Sequence, residues 1–132
     1  FPDNLFDSRC VPETIRKAFM AAAATKSIDQ AVSLIAWRRV LELACKDLGA
    51  DGKNLYEKIT DLSSKNIFPQ TLKDASNLIR VLGNDGAHSD DPEPRRVNIA
   101  NVEALVRYII EYVYILPQKI SDISKANESE DS

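Results

Sequence analysis

One nonapeptide, Arg80-Val-Leu-Gly-Asn-Asp-Gly-Ala-His88, concentrates the side chains able to do chemistry. It holds the only histidine of the chain and two of its four glycines. Arg80, Asn84 and His88 recur at four-residue intervals, so a continuous helix aligns them in one polar stripe, about 6 Å per step. An imidazole titrates near neutrality and can move a proton, while a planar guanidinium suits a phosphate. A carboxamide between them can orient the imidazole or reach a ribose. Cleaving RNA without a metal needs a base for the 2′-hydroxyl, an acid for the leaving oxygen and positive charge at the phosphate. One chain offers one imidazole, so the cleavage reading requires a symmetric dimer that sets two copies of the stretch face to face. In that reading His88 is the acid/base, Arg80 the transition-state clamp and Asn84 the orienter. In the binding reading Arg80, Asn84 and His88 hold RNA or nucleotide phosphate, with Arg95 and Arg96 beside them.

Each residue also has a plainer use. His88 can be a hydrogen-bonding helix end, Arg80 a solvated arginine paired with Asp74 or Glu103, and Asn84 a cap. Asp85, His88, Asp90 and Asp91 match no metal-ligand spacing, so no metal is expected. No cofactor is expected either, because a Walker loop, a paired-cysteine motif, a nucleophile elbow and a dinucleotide fingerprint are all missing from the sequence.

The remaining composition bounds the setting. The 132 residues suffice for one domain with a real core. A net charge of −3 excludes a bulk electrostatic nucleic-acid binder. It leaves room for a local basic patch from Arg38, Arg39, Arg95, Arg96 and Arg107, and Glu128, Glu130 and Asp131 concentrate acid in the tail. Cys10 and Cys45 are isolated, which points to reduced structural thiols and a cytoplasmic setting. No apolar run is long enough for a membrane span. The first residue, Phe1 rather than Met, reads as a piece of a longer protein.

The stripe needs a scaffold, and the apolar periodicity supplies one. Residues 1–11 lack helical spacing and read as an N-terminal arm or linker end. Pro12 suits a first helical position, and Ile15, Ala18, Phe19, Ala22 and Ala23 carry a helix to about Thr25. Ser27-Ile-Asp-Gln30 reads as a capping box for a long helix from Ile28 to Leu48, stopped by Gly49. That helix is apolar on most sides, which marks it as the centre of a bundle. Arg38, Arg39, Glu42 and Lys46 form its outer or functional edge. Leu55, Ile59 and Leu62 make a short third helix; Leu72, Ala75, Ile79 and Leu82 make a fourth opened by Phe68-Pro69. Gly83 and Asn-Asp-Gly offer a stop, but the four-residue polar spacing favours continuation to about Ser89, before Pro92 and Pro94 break the chain.

Asn98 is placed to cap a last helix. Its Val102, Val106, Ile109, Val113, Leu116, Ile120 and Ile123 form a heptad-like seam for a neighbouring helix or a partner. Pro117 is expected to kink or split it. Tyr108 and Tyr112 read as a packing pair flanking the seam, or as rings able to stack on bases. Residues 126–132 read as a disordered acidic tail. The expected fold is all-α, a compact up-and-down bundle of four to five helices over residues 12–125.

The runs Trp37-Arg38-Arg39-Val40-Leu41-Glu42, Leu55 to Ile59, and Ile79 to His88 resemble the bacterial family called domain of unknown function 4145. That family is in turn similar to the HEPN superfamily of small helical bundles. The likeness spans Val11 to Pro117 and rests on the R-x3-E helix combined with Gly-Asn-x3-His. It implies a four- to five-helix bundle, frequent dimerisation and, in many superfamily members, metal-independent ribonuclease activity in toxin, defence and CRISPR-associated systems. The superfamily motif is an arginine followed after four to six residues by histidine, commonly R-N-x3-H. Asn84 and His88 match its asparagine and histidine, whereas the arginine position falls on Gly83 and Arg80 lies one turn earlier. The expectation is a HEPN-like accessory domain of a larger prokaryotic defence or nucleic-acid-processing protein. It would form a homodimer or bind a partner domain and contact RNA or nucleotide phosphate. The alternatives are a metal-independent endoribonuclease acting as a dimer and a purely structural assembly module.

Overall fold

The structure, a computed structural model, describes residues 10–88 and 97–131, with side chains at 10–84 and 97–128. Among the described residues every regular element is helical: α1 (Glu13–Ala24), α2 (Gln30–Asp47), α3 (Leu55–Ser64), α4 (Gln70–His88), α5 (Ile99–Ile110), a π-helical turn (Glu111–Ile115) and α6 (Leu116–Asp131). The chain forms an all-α, compact helical bundle.

Local signals set most boundaries. Asn54 Oδ1 accepts from the Glu57 N–H at 2.9 Å and opens α3, and Asn98 Oδ1 accepts from the Ala100 N–H and opens α5. Gly49 closes α2 in the left-handed region at φ 77°, where the Ala50 and Gly49 amides donate back to the Cys45 and Lys46 carbonyls. Asn66 at φ 62° closes α3 in the same way. The start of α2 differs from the capping box expected at Ser27. Asp29 is the cap, accepting from the Val32 N–H at 3.2 Å, and Ser27 lies in the preceding turn. Gln30 has a partner far along the chain. Its Oε1 accepts from the Val97 N–H at 3.0 Å and pins the entry to α5.

α2 is the central helix: α1, α3, α4 and α5 all pack against it, and α3 and α5 also touch α4. Trp37, fully buried, meets Phe19 of α1 edge-on at 4.9 Å between ring centroids. Leu34, Val40, Leu41, Ala44 and Cys45 complete the apolar α2 share of the core, against Ile59, Leu62, Phe68, Ile79, Val106 and Ile109. Val11, assigned from the sequence to the arm, is buried in this core.

α4 runs through Gly83 to His88, as the four-residue polar spacing requires. α5, the π turn and α6 follow one another without a break. The wide turn sits directly before Pro117, whose missing N–H and bulky ring disturb the i→i−4 ladder at Val113. Beyond it α6 continues to Asp131, so residues 126–131 extend the helix rather than ending it at Lys125. The side chains of residues 122–128 are exposed.

Candidate functional site

The continuous α4 places positions 80, 84 and 88 on one helix face, and the Arg80 and Asn84 side chains are both half-buried there. The side chain of His88 lies outside the described residues, as do Arg95, Arg96, Asp90 and Asp91. Arg80 leans back toward the start of its helix. Its Nε donates to Asn77 Oδ1 at 3.2 Å, and its Cζ lies 5.1 Å from the centre of the Tyr56 ring on α3. Helical side chains tilt N-terminally, so this direction is the ordinary one. It carries the guanidinium away from Asn84 and position 88. Arg80 pairs with neither carboxylate suggested for it. Asp74 accepts from Gln70, and Glu103 binds Lys26 at 3.0 Å and Arg107 at 3.8 Å.

A second cation enters from α2. An ideal Cβ on Gly83 would stand 2.8 Å from Arg38 Cβ, 2.9 Å from Cδ and 3.3 Å from Cγ. The Arg38 stem therefore lies directly over the hydrogen that Gly83 carries in place of a side chain. Arg38 Nε donates to Glu42 Oε1 at 2.9 Å, and its Nη1 points at the Arg80 carbonyl at 3.5 Å. The i,i+4 carboxylate aligns the guanidinium along α2, and the carbonyl ties it to α4. The sequence marked Arg38 and Glu42 only as an edge of the central helix. The signal that could have joined them to the stripe is the glycine inside a helix, which often marks a close approach by a neighbour.

Of the wider basic patch, only Arg38, Arg39 and Arg107 lie among the described residues. Arg39 is exposed, and Arg107 is engaged with Glu103 and lies 6.0 Å from the Phe19 ring. Both cysteines are free, and burial pushes the Cys45 thiol up to about 12, which leaves it inert as a nucleophile at neutral pH. Among the described residues no group of histidine, cysteine and carboxylate side chains could hold a metal ion, and no helix is long and apolar enough to cross a membrane.

A separate surface lies on the C-terminal helices. Tyr108, Glu111, Tyr112, Ile115, Leu116 and Lys119, together with Leu72 of α4, line a groove of about 450 Å³. Tyr108 and Tyr112, expected as a packing pair, are 63% and 41% exposed.

No curated protein and no solved structure matches the chain. The profile of one family does match, over residues 14–126, which covers α1 but for its first residue, all of α2 to α5 and most of α6. That stretch includes the Arg38–Glu42 pair, Gly83 and the whole polar stripe, and the chain belongs to the family described as Domain of unknown function (DUF4145).

Proposed function

We propose that this domain is a HEPN-like accessory module of a larger defence or nucleic-acid-processing protein. It binds RNA or nucleotide phosphate on the Arg80–Asn84–His88 face of α4 and pairs with a second copy through α6. The observation that carries the reading is the unbroken α4, because a helix ending at Gly83 would scatter the three positions. Binding is favoured over cleavage because Arg80 is directed toward Tyr56 and Asn77, not toward position 88.

Charge supports the second copy as the occupant of the α6 groove. Glu111 and Lys119 line the groove eight residues apart. An antiparallel pair of such helices with its two-fold axis near Ile115 sets Glu111 against Lys119 of the second copy, twice over.

Labelled single-stranded RNA titrated with the protein tests the phosphate face. Wild type binds with affinity falling as salt rises, and Asn84→Ala/His88→Ala loses most of it. Equal binding by that variant removes the face from the reading. Incubation of the same RNA in chelator with wild type and His88→Ala separates binding from cleavage. Intact RNA with both supports the accessory role, and cleavage by wild type alone replaces it with the ribonuclease. Light scattering over rising concentration reads the pairing, and a monomer throughout excludes it.

A further inference from the structure

Arg80 and Arg38 both reach the C-terminal half of α4, but they approach it differently. The Arg80 side chain runs back one turn to Asn77. The Arg38 stem crosses α4 at Gly83, the residue adjoining Asn84, and any side chain at Gly83 would occupy its path. We propose that Arg38, held by Glu42, is the principal phosphate ligand at the Asn84 end of α4. Gly83 is the opening through which α2 delivers it. The inference rests on the reading of this face as a phosphate-binding surface and names the cation that does the work.

Three features fit Arg38 to that task. Its position is fixed at both ends: the stem lies in van der Waals contact with Gly83, and Nε is tied to Glu42 at 2.9 Å. A fork restrained in this way loses little freedom when it meets a ligand. Only Nε and one Nη1 hydrogen are taken up by its contacts among the described residues, and a guanidinium has five N–H donors. The remaining edge matches the spacing of two phosphate oxygens. The side chain is also 24% exposed, open enough for an anion to arrive and shielded enough for the contact to resist screening. Glu42, 39% exposed beside it, offsets part of the positive charge while the site is empty.

The preferred ligand class is a single-stranded phosphodiester. The test titrates a 5′-labelled oligouridylate against wild type, Arg38→Met, Arg80→Met and Glu42→Gln at several salt concentrations. Methionine keeps an unbranched stem over Gly83 and removes only the charged fork. Arg38→Met weakens binding about tenfold and lowers the log–log salt slope by about 0.7, the increment for one phosphate contact on a single strand. Arg80→Met has the smaller effect on both. Glu42→Gln, which leaves the crossing intact and removes the neighbouring negative charge, tightens binding. That result stands even if Arg38→Met proves unstable by circular dichroism. Unchanged affinity and slope in Arg38→Met, with loss in Arg80→Met, overturns the assignment and leaves the phosphate face standing. Unchanged binding in Glu42→Gln also counts against Arg38 as a ligand. Failure of wild type to bind the oligonucleotide at any salt overturns both the assignment and the reading beneath it.

Discussion

Val102, Val106 and Ile109 are 3%, 1% and 1% exposed, whereas Leu116, Ile120 and Ile123, on the same three-and-four spacing, are 45%, 57% and 71% exposed. One hydrophobic register thus has two fates. What separates the halves is the π turn at Glu111–Ile115. A single extra residue in the ladder rotates everything downstream by about 100° relative to a straight α-helix. The upstream stripe faces α2 and α4, while the downstream stripe turns off the bundle onto α6, which has no extensive packing partner among the described residues. Periodicity therefore reports that a helix has an apolar side, and only the neighbours decide whether that side is covered.

The largest expected effect separates the two halves directly. Ile109→Ala leaves a cavity between α5 and the core and costs about 2–5 kcal/mol of unfolding free energy. Ile123→Ala, on the open half, changes monomer stability by about 0.5 kcal/mol or less. Urea titration at low protein concentration reads both. Equal losses would mean that α6 is covered in the free chain and would dissolve the contrast.

The α2–α4 crossing shows what a covered helix face demands. An exposed helical glycine replaced by alanine ordinarily gains about 1 kcal/mol from helix propensity. At Gly83 the sign reverses, because the new methyl would stand 2.8 Å from Arg38 Cβ, an atom fixed to the α2 backbone. Gly83→Ala is expected to lose about 1–3 kcal/mol through forced separation of the two helices. Adding Arg38→Ala recovers only part of that loss, since alanine keeps the clashing Cβ and removes only Cγ and the atoms beyond it. Full recovery in the double variant would place the obstruction in the flexible stem and make the crossing looser than described.

Much of this architecture was legible before any coordinates. The central position of α2 followed from its apolar cover, and Gly49, Asn98 and the continuation of α4 through Gly83 followed from local chemistry and spacing. The misplaced features share a cause, namely dependence on partners distant in sequence. Ser27-Ile-Asp-Gln30 satisfied the capping-box pattern, yet Gln30 finds the Val97 amide 67 residues away and Asp29 takes over the cap. The polar stripe lies on one helix, where spacing offers Arg80 as its cation, whereas the Arg38 crossing comes from α2 and has no signature in that spacing. The seam reads as one heptad register with a kink or split at Pro117, and spacing carries no sign of the π turn that rotates the register ahead of that proline.

A smaller loss than that at Gly83 is expected at the joint between the two halves. The π turn directs Tyr114 back toward α2, where its hydroxyl donates to Asp47 Oδ2 at 2.6 Å. Burial first, then the bond to Asp47 and the nearby negative charge, hold the phenol protonated well above its ordinary range. A group whose proton is held more tightly in the folded chain contributes stability in full below its unfolded pKa, near 10 for a phenol. That contribution drains away as pH climbs and the unfolded chain ionises first. Cys45 adds to the same alkaline loss, with its thiol moved from 9.0 to about 12. Stability measured from pH 8 to pH 11 should therefore fall in wild type, with an onset near 9. Cys45→Ala should delay that onset, and Tyr114→Phe should flatten the decline above about 10. At neutral pH, Tyr114→Phe removes one hydrogen bond at a part-exposed position and costs about 1 kcal/mol. A Tyr114→Phe curve running parallel to wild type would show that the phenol titrates freely. The π turn would then not be anchored to α2, and the rotation dividing the covered half of the register from the open one would need another cause.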